Sequence, residues 1–131
     1  MNGVLVDTSV WISYFRGVPE ERKIADGLDY LLSGDEVFIN EIVLSELIPA
    51  MTVRRETKVI ELIKAVRRLP MAIDWEDIRR MQIVCLKNGI NKVGIPDLII
   101  AQQAIRNGIP LFSLDKHFRL MVKHLCLKLW Q

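Results

Sequence analysis

The sequence predicts an α/β protein, a three-layer α/β/α domain around a mainly parallel sheet of roughly five strands. Three observations support that class. Short apolar runs such as Val4 to Val6 and Val37 to Ile39 lack polar alternation, as strands buried on both faces of a parallel sheet do. Longer stretches between them repeat apolar residues at helical spacing. The 131 residues, 50% hydrophobic and 26% charged, suit one domain over 1–131 whose core folds without a disulfide framework or structural zinc.

The first strand, Val4 to Val6, runs into Asp7-Thr8-Ser9, which is N-cap chemistry for a helix over Val10 to Phe15 closed by Gly17 and Pro19. From Glu20 to Leu32, Ile24, Leu28, Leu31 and Leu32 mark one helical face, and Gly34-Asp35 ends it. A second strand, Val37 to Ile39, passes through Asn40 into a helix from near Glu41, which Pro49 weakens or kinks. An amphipathic helix is expected over Thr52 to Leu69, with Val59, Leu62, Ile63 and Val66 on one face and basic residues on the other. Pro70 to Ile73 reads as a third strand, and Trp75 to Lys87 as a helix stopping at Asn88-Gly89. Asp97 to Asn107 reads as a helix capped by Gly108. Leu111 to Leu114 is a fourth strand, Lys116 to Lys123 a short helix, and Cys126 to Leu129 a last strand.

A formal net charge of +2, from 18 Lys and Arg against 16 Asp and Glu, excludes a histone-like polycation and a disordered acidic tail. It leaves a nucleic-acid partner open, because an acidic pocket in a basic rim gives the same small sum. Cys85 and Cys126 lack the C-x-x-C spacing of a zinc knuckle or redox motif, and are expected as buried free thiols in a reducing cytoplasm. Met81 and Cys85, four apart, read as core. With no basic n-region or cleavage site, and no apolar run near the ~18 residues of a membrane span, a cytoplasmic protein without membrane contact is expected.

Asp7, Glu46, Asp97 and Asp115 stand out because each lies just beyond the carboxyl end of an expected strand or in the helix that follows. In open α/β sheets that edge is where ligands bind. Singly, Asp7 and Asp97 also suit N-caps, Glu46 a solvated helix position and Asp115 a turn. At ~100° per residue, Glu46 points between Ile42 and Ala50, and Asp97 falls in the stripe of Ile100, Ala101, Ala104 and Ile105, with Gln102, Gln103 and Arg106 on the far side. Both therefore read as facing inward, where an unpaired carboxylate costs several kcal/mol. No Lys or Arg shares those faces. Carboxylates within ~4 Å repel by roughly 4 kcal/mol per pair at an effective dielectric of about 20, so a divalent cation is the natural counter-charge. With oxygen-only ligands and no Cys or His cluster, Mg2+ or Mn2+ is favoured over zinc.

These residues resemble a PIN-domain ribonuclease and, within that group, the VapC-like toxins of type II toxin–antitoxin pairs. The likeness covers essentially the whole chain. It rests on Val4-Leu5-Val6-Asp7-Thr8-Ser9-Val10-Trp11-Ile12, on Glu46, on Pro96-Asp97-Leu98-Ile99-Ile100-Ala101, and on Leu111-Phe112-Ser113-Leu114-Asp115-Lys116-His117-Phe118. The resemblance implies a PIN-like fold and a Mg2+-dependent endoribonuclease in which Mn2+ substitutes. Its catalytic acids map onto Asp7, Glu46, Asp97 and Asp115, with Asp7 and Asp97 as direct metal ligands. Glu46 and Asp115 complete the pocket, and one of them assists deprotonation of the attacking water. Thr8 and Ser113 match positions whose hydroxyls orient the carboxylates. The chain departs from many relatives at His117, where they carry another acid.

The resemblance also implies a cognate antitoxin, held in an apolar groove near Trp11, Tyr14 and Phe15, and a homodimer. The same aromatics also suit packing of their helix on the sheet. Arg16, Lys92, Lys116, His117 and Arg119 border the expected pocket, as RNA phosphate contacts or as solvated charges. Arg54, Arg55, Lys58, Lys64, Arg67 and Arg68 form either an RNA stripe or, interleaved with Glu56 and Glu61, a solvated helix face. Four intact acids favour catalysis over a binding-only PIN-like module, and a stand-alone PIN nuclease without an antitoxin is the other alternative. A phosphotransfer receiver or haloacid-dehalogenase-like phosphatase fits poorly, because Ser9 stands where the latter needs a second Asp and the receiver's acid pair is missing.

Overall fold

The computed structural model describes residues 2–131. Four strands, β1 (Val4–Val6), β2 (Val37–Ile39), β3 (Arg67–Arg68) and β4 (Leu111–Phe112), form one parallel sheet in the order β3-β2-β1-β4. Every residue of β1, β2 and β4 is buried, so both faces of the sheet centre are covered, as three layers require. The helices are α1 (Thr8–Arg16), α2 (Arg22–Ser33), α3 (Glu41–Val53), α4 (Thr57–Lys64), α5 (Trp75–Lys87), α6 (Ile95–Arg106) and α7 (Lys116–Met121). Leu5, Val6, Trp11, Ile39, Ile63, Met81, Ile100 and Phe118 lie within one contiguous hydrophobic core. No helix among the described residues is long and apolar enough to cross a membrane.

The sheet has four strands where roughly five were expected. The last segment contributes one parallel bridge, Leu111 to Leu129, in which Leu111 N–H donates to the Lys128 carbonyl and Trp130 N–H to the Leu111 carbonyl, both at 2.9 Å. β4 itself ends at Phe112 rather than Leu114, which leaves little strand to pair with. The third strand is Arg67–Arg68 and not Pro70 to Ile73. It lies at the sheet edge with both residues exposed, the Arg67 guanidinium 4.5 Å above the Phe38 ring and Arg68 paired with Glu41 at 2.7 Å. Charged side chains of this kind keep an open edge from pairing with other chains.

The expected helix from Thr52 to Leu69 is thus replaced by the end of α3, a turn, α4 and an edge strand. α3 continues through Pro49, because Pro49 and Ser45 are both exposed and the carbonyl that the proline leaves unbonded faces water. The break comes six residues later, where Arg55 takes a left-handed φ of 59°. α6 begins at Ile95 with Pro96 in its first turn, so Asp97 is a first-turn residue and Gly94 the N-cap. Of the two cysteines, Cys85 is buried, which pushes its thiol pKa up, whereas Cys126 is exposed, contrary to expectation.

Candidate metal centre

Strand register sets the first contact of the site. Val6 pairs with Phe112, so the residues that follow, Asp7 and Ser113, meet at the carboxyl edge of the sheet. Asp7 is 5% exposed and caps α1, accepting Ser9 N–H at 3.1 Å on Oδ1. Its Oδ2 accepts the Ser9 hydroxyl at 2.9 Å and the Ser113 hydroxyl. Ser9 Oγ in turn accepts Leu114 N–H at 2.9 Å, and Ser113 Oγ accepts Asp115 N–H at 3.0 Å. The two serines therefore clamp the β4–α7 loop to Asp7. Burial raises the Asp7 pKa, against the lowering effect of the Ser113 and Ser9 hydrogen bonds, and the charge of Asp115 adds to the rise.

The other three acids arrive from separate helices. Asp97, half-buried in the first turn of α6, is pushed up to about 6, first by burial and then by the charges of Asp115, Asp7 and Glu46, with His117 partly offsetting. Its dependence on the other three places all four in one electrostatic neighbourhood. Asp115 caps α7, accepting His117 N–H at 2.9 Å on Oδ1, and His117 Nδ1 lies 3.1 Å from the same oxygen. One ligand atom from each of Asp97, Asp115 and His117 lies within 4.8 Å of the others. Glu46 is exposed and accepts the Thr8 hydroxyl at 2.7 Å. Among the described residues, no Lys or Arg nitrogen comes within 4.0 Å of any of the four acids.

This donor set suits a divalent cation. Carboxylates that destabilise one another's charged form, with no basic partner, are relieved when positive charge is bound between them. Ligands held at about 2.1 Å by one ion sit about 3 to 4 Å apart, so small side-chain movements bring Asp97, Asp115 and His117 onto a single centre.

Several expected roles are redistributed. Glu46 does not face inward, because the buried stripe of α3 is Val43, Leu44, Leu47 and Met51, and Glu46 lies off it. Gln102 and Gln103 are not on an exposed side of α6 but are 1% and 2% exposed, since that helix is enclosed along Leu98–Ala104. Thr8 donates to Glu46 and Ser113 to Asp7, and a second hydroxyl on Asp7 belongs to Ser9, to which sequence reasoning gave no role in orienting a carboxylate. His117 lies with Asp97 and Asp115, so the donors that could hold an ion here are not oxygen-only. Lys116 is exposed beside them, while Arg119 lines a separate depression with Leu127 and Lys128.

Glu46 also lines a groove of about 440 Å³ between α1 and α3, with Ile12, Phe15, Arg16, Leu47, Met51 and Arg54 among others. Of the aromatics assigned to such a groove, only Phe15 lines it. Trp11 is fully buried, stacked on Phe15 with ring centroids 5.9 Å apart, and belongs to the core. Tyr14 ties α1 to α2 by donating its hydroxyl to Asp29 at 2.6 Å, a bond that pushes the phenol up to about 12. Ile12 and Arg54 were not assigned to the groove, although Ile12 sits one turn from Phe15 on the same helix.

A family model described as PIN domain matches residues 4–123. No curated protein matches the sequence. Among solved structures, VapBC2 from Rickettsia felis, bound to a promoter DNA fragment, aligns with TM-score 0.74 at 16% identity, covering 97% of this chain and 96% of that one. VapBC-1 from nontypeable Haemophilus influenzae aligns with TM-score 0.73 at 19% identity, covering 98% and 96%. FitAcB from Neisseria gonorrhoeae aligns with TM-score 0.69 at 19% identity, again covering 98% and 96%. At these identities the likeness is one of fold.

Proposed function

This chain belongs to the PIN-domain family, and on that premise we propose that it is a divalent-metal-dependent endoribonuclease, the cytoplasmic toxin of a type II toxin–antitoxin pair. The observation that carries the proposal is that Asp7, Glu46, Asp97 and Asp115 share one electrostatic neighbourhood with no basic partner, Asp97 being pushed up to about 6 first by burial and then by the charges of the other three. When bound, Mg2+ or Mn2+ supplies Lewis-acid polarisation of a phosphate oxygen and a lower pKa for water. Asp7 and Asp97 hold the ion, and Ser9 and Ser113 fix the Asp7 rotamer, so little reorganisation is left for the reaction. Glu46, held by Thr8, and Asp115 orient the attacking water, and one of them takes its proton. Lys116, exposed next to Asp115, and Arg16, exposed in the groove that Glu46 also lines, hold flanking phosphates of the RNA.

The chain acts as one domain, and as a homodimer. Its α1/α3 groove, apolar along Ile12, Phe15, Leu47 and Met51 and lined also by Glu46, takes an apolar segment of the antitoxin. The VapBC and FitAcB assemblies that share the fold support a partner protein. The test is cleavage of a structured RNA by the purified chain with Mg2+ or Mn2+ and with EDTA, beside Asp7→Asn and Asp97→Asn. Cleavage that needs the metal and fails in both variants is expected. Cleavage in EDTA, or none on any RNA, overturns the enzymatic reading and leaves a binding-only module.

A further inference from the structure

His117 is held in a way that a phosphate contact does not need. Its backbone N–H is fixed on Asp115 Oδ1, its ring is 23% exposed, and its Nδ1 is 3.1 Å from that same oxygen. About 3 Å separates neighbouring ligands around one six-coordinate ion, so the pair already has the spacing of two adjacent ligands. Asp97 joins the pair, one ligand atom from each of the three residues lying within 4.8 Å of the others. A side chain reaching for RNA points to solvent and presents its charge there, whereas this imidazole is grouped with the carboxylates of Asp115 and Asp97.

We propose that His117 supplies a nitrogen ligand to the metal centre that Asp7 and Asp97 hold beside Asp115, and that the site therefore prefers Mn2+ to Mg2+. Imidazole suits first-row transition ions, whereas Mg2+ is a hard ion that takes oxygen ligands and dehydrates reluctantly. The inference rests on the reading of the acid cluster as a metal centre. It assigns the ligand that distinguishes this site from a purely carboxylate one.

The experiment uses the full chain loaded with Mn2+ and reads the electron spin-echo envelope for 14N coupling, a signal that depends on a directly bound nitrogen and not on turnover. Wild type is expected to show 14N modulation, and His117→Gln to bind Mn2+ without it. His117→Asp restores an all-oxygen set, and is expected to lose the modulation while its ratio of Mn2+ to Mg2+ affinity, measured by calorimetry, falls below that of wild type. Mn2+ bound by wild type without 14N modulation overturns the inference and leaves the carboxylate centre standing. An affinity ratio unchanged in both variants overturns the preference. If wild type binds no Mn2+, the inference and the metal-centre reading fail together.

Discussion

Asp7 and Asp97 sit in the same cluster under opposite kinds of support. Asp7 is the most buried acid and is met by three donors, Ser9 N–H and the Ser9 and Ser113 hydroxyls. Asp97 accepts no hydrogen bond among the described residues, and it faces the like charges of Asp115, Asp7 and Glu46, which His117 only partly offsets. On the proposed metal-centre reading, Asp7 is therefore the pre-set member of the site and Asp97 the one that a cation would relieve. That difference separates two hydroxyls adjacent in sequence. Ser9→Ala removes a donor from a buried carboxylate and the acceptor of Leu114 N–H. It is expected to cost about 1–3 kcal/mol in denaturant unfolding and to weaken divalent-ion binding by about 10–100-fold in calorimetry. Thr8→Ala frees only the exposed Glu46 and is expected to change stability by no more than about 0.5 kcal/mol. Equal losses in the two variants would show that Ser9 does not hold Asp7 in solution.

Elements were legible where burial alone determines them. β1, β2 and β4 are short apolar runs, and nothing but a covered sheet accommodates them. The acids could be found because a parallel sheet delivers every strand end to one edge. β3 was not legible, because its two arginines carry no apolar signal and pair only because β2 has an open side, as Leu69 N–H on the Ile39 carbonyl at 2.8 Å shows. The α3–α4 break was hidden for a related reason: Arg55 adopts a conformation that sequence patterns assign to glycine or asparagine. Glu46 was misoriented because α3 is apolar at Ile42, Val43, Leu44, Leu47 and Ile48, almost all round, so periodicity alone did not select a face. Gln102 was missed because polarity suggested exposure. Its amide accepts Asp74 N–H at 3.2 Å and donates to the Asp74 carbonyl at 3.0 Å and Asp77 Oδ2 at 2.8 Å, tying the start of α5 to α6, the helix that carries Asp97. Gln102→Leu is expected to cost about 1–3 kcal/mol. Amide hydrogen exchange should rise in the first turn of α5 and remain unchanged in α1; a uniform rise across both helices would mean that the contact is not a local clamp.

For the molecule as a whole, the net charge of +2 hides a partition. Removing the four clustered acids from 16 leaves 12 against 18 basic residues, so the surface outside the site is distinctly basic and the site itself carries concentrated negative charge. Folding without a cation therefore works against repulsion, and the sign of the resulting pH dependence follows from Asp97. Its pKa rises from 3.8 unfolded to about 6 folded, so its favourable contribution is complete below about pH 4 and is lost as pH rises through 6. Metal-free protein is accordingly expected to gain from this group as pH falls from 7 towards 4. A bound ion reverses the trend, because it needs the carboxylate ionised and protons compete with it below about pH 6. At 100 times its dissociation constant the ion adds about 2.7 kcal/mol at pH 7, or about 10 °C in Tm for a chain of this size. Calorimetric melting in EDTA and in excess MnCl2 at pH 5, 6 and 7 measures both trends. The Tm increment from metal is expected to shrink as pH falls through 6 and to be largely lost in Asp97→Asn at every pH. An increment that is independent of pH, or that survives the substitution undiminished, would place the ion elsewhere on the molecule.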